Sequence, residues 1–125
     1  MHDERSKEET WVADEEERVN CDHRARSALE SSAAPASVER AAAIFRALGD
    51  PARLMLMARL ARAEACVSEL AAESGDGLST ISQRLRLLRA ERLVLRRRDG
   101  KHIYYRLADQ HVAELISNGL EHADE

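Results

Sequence analysis

The run CVSELAAESGDGLSTISQRLRLLRAERLVLRRRDGKHIYYRL, residues 66–107, decides how this chain folds. It opens on a short helical pattern starting near Cys66, with Val67, Leu70 and Ala71 spaced to face inward. Ser74-Gly75-Asp76-Gly77 reads as a turn. A second helical pattern follows, with Leu78, Ile81, Leu85 and Leu88 on one face and Ser79, Thr80, Ser82, Gln83 and Arg86 on the others. Then Val94–Arg98 and Lys101–Leu107 flank Asp99-Gly100, a favoured two-residue hairpin turn. Ile103, Tyr105 and Leu107 alternate with His102, Tyr104 and Arg106, as a half-buried strand requires. Helix, turn, polar helix and basic hairpin, in that order, make a winged helix-turn-helix. Solvated arginines on a plain helical hairpin would account for the charge run but not for the order.

Outward from this run the pattern stays helical. Upstream, Ser37 is placed to cap a helix carrying Val38, Ala41, Ala42, Phe45 and Leu48, and Gly49 ends it. Asp50-Pro51 supplies an N-cap followed by proline at the first helical position. The helix it opens runs to about Ala63 and directs Leu54, Met57, Ala58 and Ala61 inward. Downstream, a last helix from about Asp109 directs Val112, Leu115, Ile116 and Leu120 inward. The expected fold is mainly α, with about five helices and a two-stranded wing. The domain spans residues 36–125, and residues 1–35 form an acidic arm with little to bury. A core of about 90 residues is small, which favours a homodimer.

The 125 residues sum to a net charge of −4, which alone argues against a polyanion partner. The sum hides two opposite parts. Residues 1–35 carry 10 acidic and 5 basic side chains, whereas residues 84–106 carry 9 basic and 2 acidic ones. A local surplus of this size holds a polyanion whatever the total. The four aromatic residues, Trp11, Phe45, Tyr104 and Tyr105, are too few to stack single strands. No apolar run reaches a membrane span, and the acidic N-terminus is not a signal peptide. Cys21 and Cys66 are too few for a secreted disulfide framework, so a cytoplasmic protein is expected. No nucleophile–base arrangement or glycine-rich phosphate loop is visible, so an enzyme is not expected.

The polar helix suits the major groove of double-stranded DNA. Ser79, Thr80, Ser82, Gln83, Arg84 and Arg86 are short or forked side chains that reach base edges or phosphates. Gln pairs with adenine and Arg with guanine in bidentate fashion. Arg96, Arg97, Arg98 and Lys101 of the wing suit phosphates or the minor groove.

The last helix carries Asp109, His111, His122 and Glu125, a ligand set for zinc or a similar divalent ion. His111 and His122 are 11 residues apart, roughly 16 Å along a helix, so one chain cannot close a site from them. Two such helices packed antiparallel across a dimer axis bring Asp109 and His111 of one copy to His122 and Glu125 of the other. Asp124 or the terminal carboxylate can replace Glu125. Two surface histidines on a polar face remain the bland alternative. A second candidate set is Cys21 and His23 of the arm with Cys66 and Glu69, three apart on one helical face. Its alternative is a buried Cys66 with an unliganded Cys21.

These residues together resemble the ArsR/SmtB winged-helix repressors, zinc-sensing branch. The resemblance runs through Phe45–Leu54, Glu64–Leu70, Ile81–Leu88 and Gly100–Leu107, and covers about residues 38–125. It implies a homodimer that binds an imperfect palindromic operator and releases it when metal binds. Asp109, His111, His122 and Glu125 match the family's C-terminal-helix zinc site residue for residue. The implied metal is Zn(II), with Co(II), Cd(II) and Pb(II) as lesser options. Ser68 stands where cadmium- and lead-sensing members have Cys, which argues against a thiolate-rich site. Gln83 stands where many members have His, and Ser74 and Asp76 replace apolar residues around the turn. The family's link from the zinc ligand to the recognition helix falls here at Arg92. Two other readings stay open: a family member switched by oxidation of Cys21 and Cys66, and a zinc-binding interaction protein that does not touch DNA.

Overall fold

The computed structural model describes Trp11, Val12 and residues 34–125. Their elements run α1 (Pro35–Leu48), α2 (Pro51–Arg62), β1 (Ala65–Cys66), α3 (Val67–Ser74), α4 (Leu78–Ala90), β2 (Val94–Asp99), β3 (His102–Leu107) and α5 (Gln110–Ala123).

Local chemistry explains most of these boundaries. Asp50 caps α2, its Oδ2 accepting from the Arg53 N–H at 3.0 Å, and Pro51 occupies the first helical position. Asp109 caps α5 in the same way through the Val112 N–H at 3.0 Å. α1 starts at Pro35 after Ala34, not after Ser37 as expected, because proline already supplies a helical φ in the first turn. Gly75 ends α3 in the left-handed conformation at φ 81°.

The wing differs from expectation twice. Its two-residue loop is Gly100-Lys101, because Asp99 pairs with His102 across the ladder. Gly100 has φ 66°, and Lys101 is not left-handed, the signature of a type II′ turn with glycine first. The sheet is also three-stranded, in the order β1-β3-β2, all antiparallel. β1 is too short to show a period-two pattern in sequence.

The core lies between α2, α4 and the sheet. Met57, Ile81, Leu85, Leu88 and Leu93 are its fully buried large side chains. Each contributes about 1.5–3 kcal/mol of transfer free energy. Within α4, Ile81, Leu85 and Leu88 take the inward face, and Leu78 is exposed at the helix start. In α1 the expected face holds at its end and fails before it: Leu48 is buried, as is Ala47, which was not expected inside, whereas Val38 and Phe45 are 52% and 58% exposed. Ala61 of α2 and Leu120 of α5, both expected inside, are exposed too. No described helix is long and apolar enough to cross a membrane.

Candidate nucleic-acid interface and metal centre

α4 presents its polar side chains outward because its apolar period is spent on the core. Ser79, Thr80, Ser82, Gln83 and Arg86 are all exposed. Gly77 precedes the helix and offers no capping side chain, so the first N–H groups remain available to an incoming phosphate. Arg84 is placed differently. Its Nη1 donates to Asp76 Oδ2 at 2.7 Å, which ties it to the turn between α3 and α4. That hydrogen bond holds the Asp76 carboxyl below its ordinary range.

In the wing, Arg96, Arg98 and Lys101 are exposed, but Arg97 is not. Arg97 is 5% exposed, against the expectation that it faces DNA. Its Nη2 donates to both carboxylate oxygens of Glu64 at 3.1 Å, and Asp99 lies 3.5 Å from Nη1. Its guanidinium also lies 4.8 Å from the Tyr104 ring centroid and 4.9 Å from that of Trp11. The pleat explains the difference, since Arg97 points to the face opposite Arg96 and Arg98. Glu64, Trp11, Tyr104 and Arg106 were not given a functional role from the sequence. The alternation that separates Arg97 from its neighbours was legible; the partners on the far face were not.

α5 holds its four candidate ligands at its two ends. Asp109 Oδ1 and His111 Nδ1 are 3.8 Å apart at the start, with the histidine 91% exposed. His122 Nδ1 and Glu125 Oε1 are 3.6 Å apart at the end, with the histidine 86% exposed. Among the described residues, no three metal-ligating side chains come together within the one chain. Each pair is a nitrogen–oxygen half-set, open to solvent and suited to a borderline divalent ion. Asp109 keeps an oxygen beyond the one that caps the helix.

Of the second candidate set, Cys66 and Glu69 are described, whereas Cys21 and His23 lie outside the described residues. Cys66 is buried, and its N–H donates to Glu69 Oε1 at 2.9 Å. The thiol lies 3.9 Å from Ser68 Oγ. One carboxylate oxygen of Glu69 is thus spent on capping α3, and the thiol is shielded from solvent. Arg92, the expected link, follows α4 at φ 62°. The Arg92 N–H donates to Arg89 O at 2.9 Å and the Leu93 N–H to Leu88 O at 3.0 Å, which closes a Schellman motif.

A sequence profile for bacterial regulatory proteins of the arsR family matches residues 50–95. The chain is 47% identical over 87 residues to a transcriptional repressor SmtB homologue of Synechocystis sp.. The match takes in 70% of this chain and 66% of that repressor's length. Among solved structures, a homodimeric winged helix-turn-helix DNA-binding domain from Mycobacterium bovis superposes with a TM-score of 0.69. Its identity is 36%, with 72% of this chain and 83% of that one covered. The antimony-specific transcriptional repressor AntR superposes with a TM-score of 0.66 at 30% identity, covering 73% and 83%. These relatives are transcriptional regulators, not enzymes. With the order of its elements, its winged helix-turn-helix and these identities, the chain belongs to the ArsR family of bacterial regulatory proteins.

Proposed function

We propose that this protein is a cytoplasmic, metal-responsive transcriptional repressor. As a metal-free homodimer it binds a palindromic operator, with its recognition helices about one DNA turn, roughly 34 Å, apart. Residues 36–125 form the DNA-binding and dimerisation domain, and residues 1–35 an acidic arm. The observation that carries the reading is the division of labour on two helices. α4 commits one face to the core and leaves Ser79, Thr80, Ser82, Gln83 and Arg86 exposed, and α5 ends in two separate two-ligand half-sets.

Zn(II) is the metal best suited to two imidazoles and two carboxylates. Asp109 and His111 of one copy hold it with His122 and Glu125 of the other. The ion supplies a crosslink between the copies and no reaction. Each histidine would bind through one ring nitrogen and keep the other to donate a hydrogen bond, and by the family resemblance the acceptor for His122 would be backbone at Arg92. Fixing both α5 helices fixes the angle between the two copies and disfavours the spacing of the recognition helices. The coupling is reciprocal, so operator weakens metal binding by the same factor.

The test is duplex binding followed by fluorescence anisotropy with and without Zn(II). Metal is expected to weaken operator affinity by at least about tenfold in wild type. That effect should vanish in the double variant His111→Ala, His122→Ala, with metal-free affinity unchanged. An undiminished metal effect in the double variant would refute the α5 site.

A further inference from the structure

β2 is an outer strand of the sheet, and it does not stand bare. Val12 forms an antiparallel bridge with Arg96, its N–H donating to Arg96 O at 3.4 Å. One residue earlier, the Trp11 ring contacts two guanidinium groups, with its centroid 4.6 Å from Cζ of Arg106 and 4.9 Å from that of Arg97. Arg97 in turn faces Tyr104 at 4.8 Å. Trp11 and Val12 are therefore held on the wing by a backbone hydrogen bond and by cation–ring contacts.

The anchor sits inside a run of negative charge. Glu8 and Glu9 precede it, and Asp14, Glu15, Glu16 and Glu17 follow it. Glu9 and Asp14 are two residues from Trp11 and Val12, within about 7 Å of chain. That distance is shorter than the Debye length of about 8–10 Å at physiological salt. Arg96 and Arg98 are exposed and line one cavity with Val12, and they are the side chains a DNA phosphate would take on the reading above. A duplex offers closely spaced negative charge, and the stretch 8–17 likewise carries six carboxylates in ten residues.

We propose that the arm is an intramolecular polyanion, anchored by Trp11 and Val12, that competes with DNA phosphate for Arg96 and Arg98 of the wing. This rests on the DNA-binding reading above. Apparent DNA affinity then falls by the fraction of time the wing is free, so an arm docked nine-tenths of the time lowers it about tenfold.

The test uses the full chain and a mixed-sequence duplex of about three helical turns at about 50 mM salt. Three proteins are compared: wild type, Trp11→Ala, and a neutral arm with Glu8→Gln, Glu9→Gln, Asp14→Asn, Glu15→Gln, Glu16→Gln and Glu17→Gln. Both variants are expected to bind the duplex about five- to tenfold more tightly than wild type, with the difference lost at about 0.5 M salt. Trp11 is the only tryptophan, so its emission reports docking directly. Iodide should quench it more strongly once duplex displaces the arm, and Arg106→Ala should raise quenching without DNA. Equal affinities in all three proteins, or Trp11 quenching unmoved by duplex, overturn the competition alone. No duplex binding by any of the three overturns the DNA-binding reading as well, whereas Trp11 protection without DNA still reports the anchor.

Discussion

Three consecutive arginines in the wing carry the same charge and do different work. Arg96 and Arg98 face solvent, whereas Arg97 is held by Glu64, Asp99, Trp11 and Tyr104. Replacing Arg96 or Arg98 by Ala should each reduce the salt slope of duplex binding by about 0.9. Arg97→Met should leave the slope unchanged and change thermal stability instead; an equal loss of slope would put Arg97 on DNA after all. The sequence contained the alternation that sets Arg97 apart, but not Trp11, which is 86 residues away. Arg84 was also expected at base edges, and Asp76 ties it to the turn. Because Arg84 depresses the folded-state pKa of Asp76, the pair stabilises the fold above the ordinary aspartate value of about 3.9. That stabilisation is lost as pH falls through the depressed folded value. Wild type should therefore exceed Asp76→Asn in urea stability at neutral pH, and the gap should close below about pH 4. A gap independent of pH would mean that the pair does not stabilise the fold through charge.

At the scale of elements, what the sequence made legible was whatever local chemistry decides. Asp50 and Asp109 announce their helices through their own side chains, and the apolar period of α4 identifies its buried Ile81, Leu85 and Leu88. Elements that long-range contacts decide were not legible. β1 exists because Ala65 and Cys66 pair with Tyr105 and Tyr104, some 40 residues on. The end of α4 was hidden for another reason. Its Schellman motif needs a left-handed residue, and the chain has Arg92 there rather than glycine. Arg tolerates φ 62° at a cost, and a β-branched residue tolerates it far less. Arg92→Val should cost about 1–2 kcal/mol of stability by denaturant unfolding. If the Arg92 backbone couples the metal to α4, the same variant should also weaken the effect of Zn(II) on operator binding. Unchanged stability would show that the helix end relaxes out of the motif.

At the scale of the molecule, the misplaced faces form a pattern. Val38 and Phe45, seven residues apart on α1, were expected in the core and are exposed, as is Leu120 of α5. Periodicity in a sequence finds an apolar stripe but does not say which surface covers it. Among the described residues nothing covers these side chains, and the α5 ligands fall into two half-sets. A second copy packed along α1 and α5 answers both. On the proposed arrangement this ties burial to metal chemistry, since breaking the apolar contact would also separate Asp109 and His111 from the partner copy's His122 and Glu125. Phe45→Glu should therefore yield a folded monomer by sedimentation, because Phe45 adds little to its own chain's core. The monomer should lose high-affinity Zn(II) binding although no ligand has been touched, and duplex affinity should fall as the second recognition helix is lost. A Phe45→Glu protein that stays dimeric and keeps its metal would place the dimer axis on another face, and with it the pairing of Asp109 and His111 with His122 and Glu125.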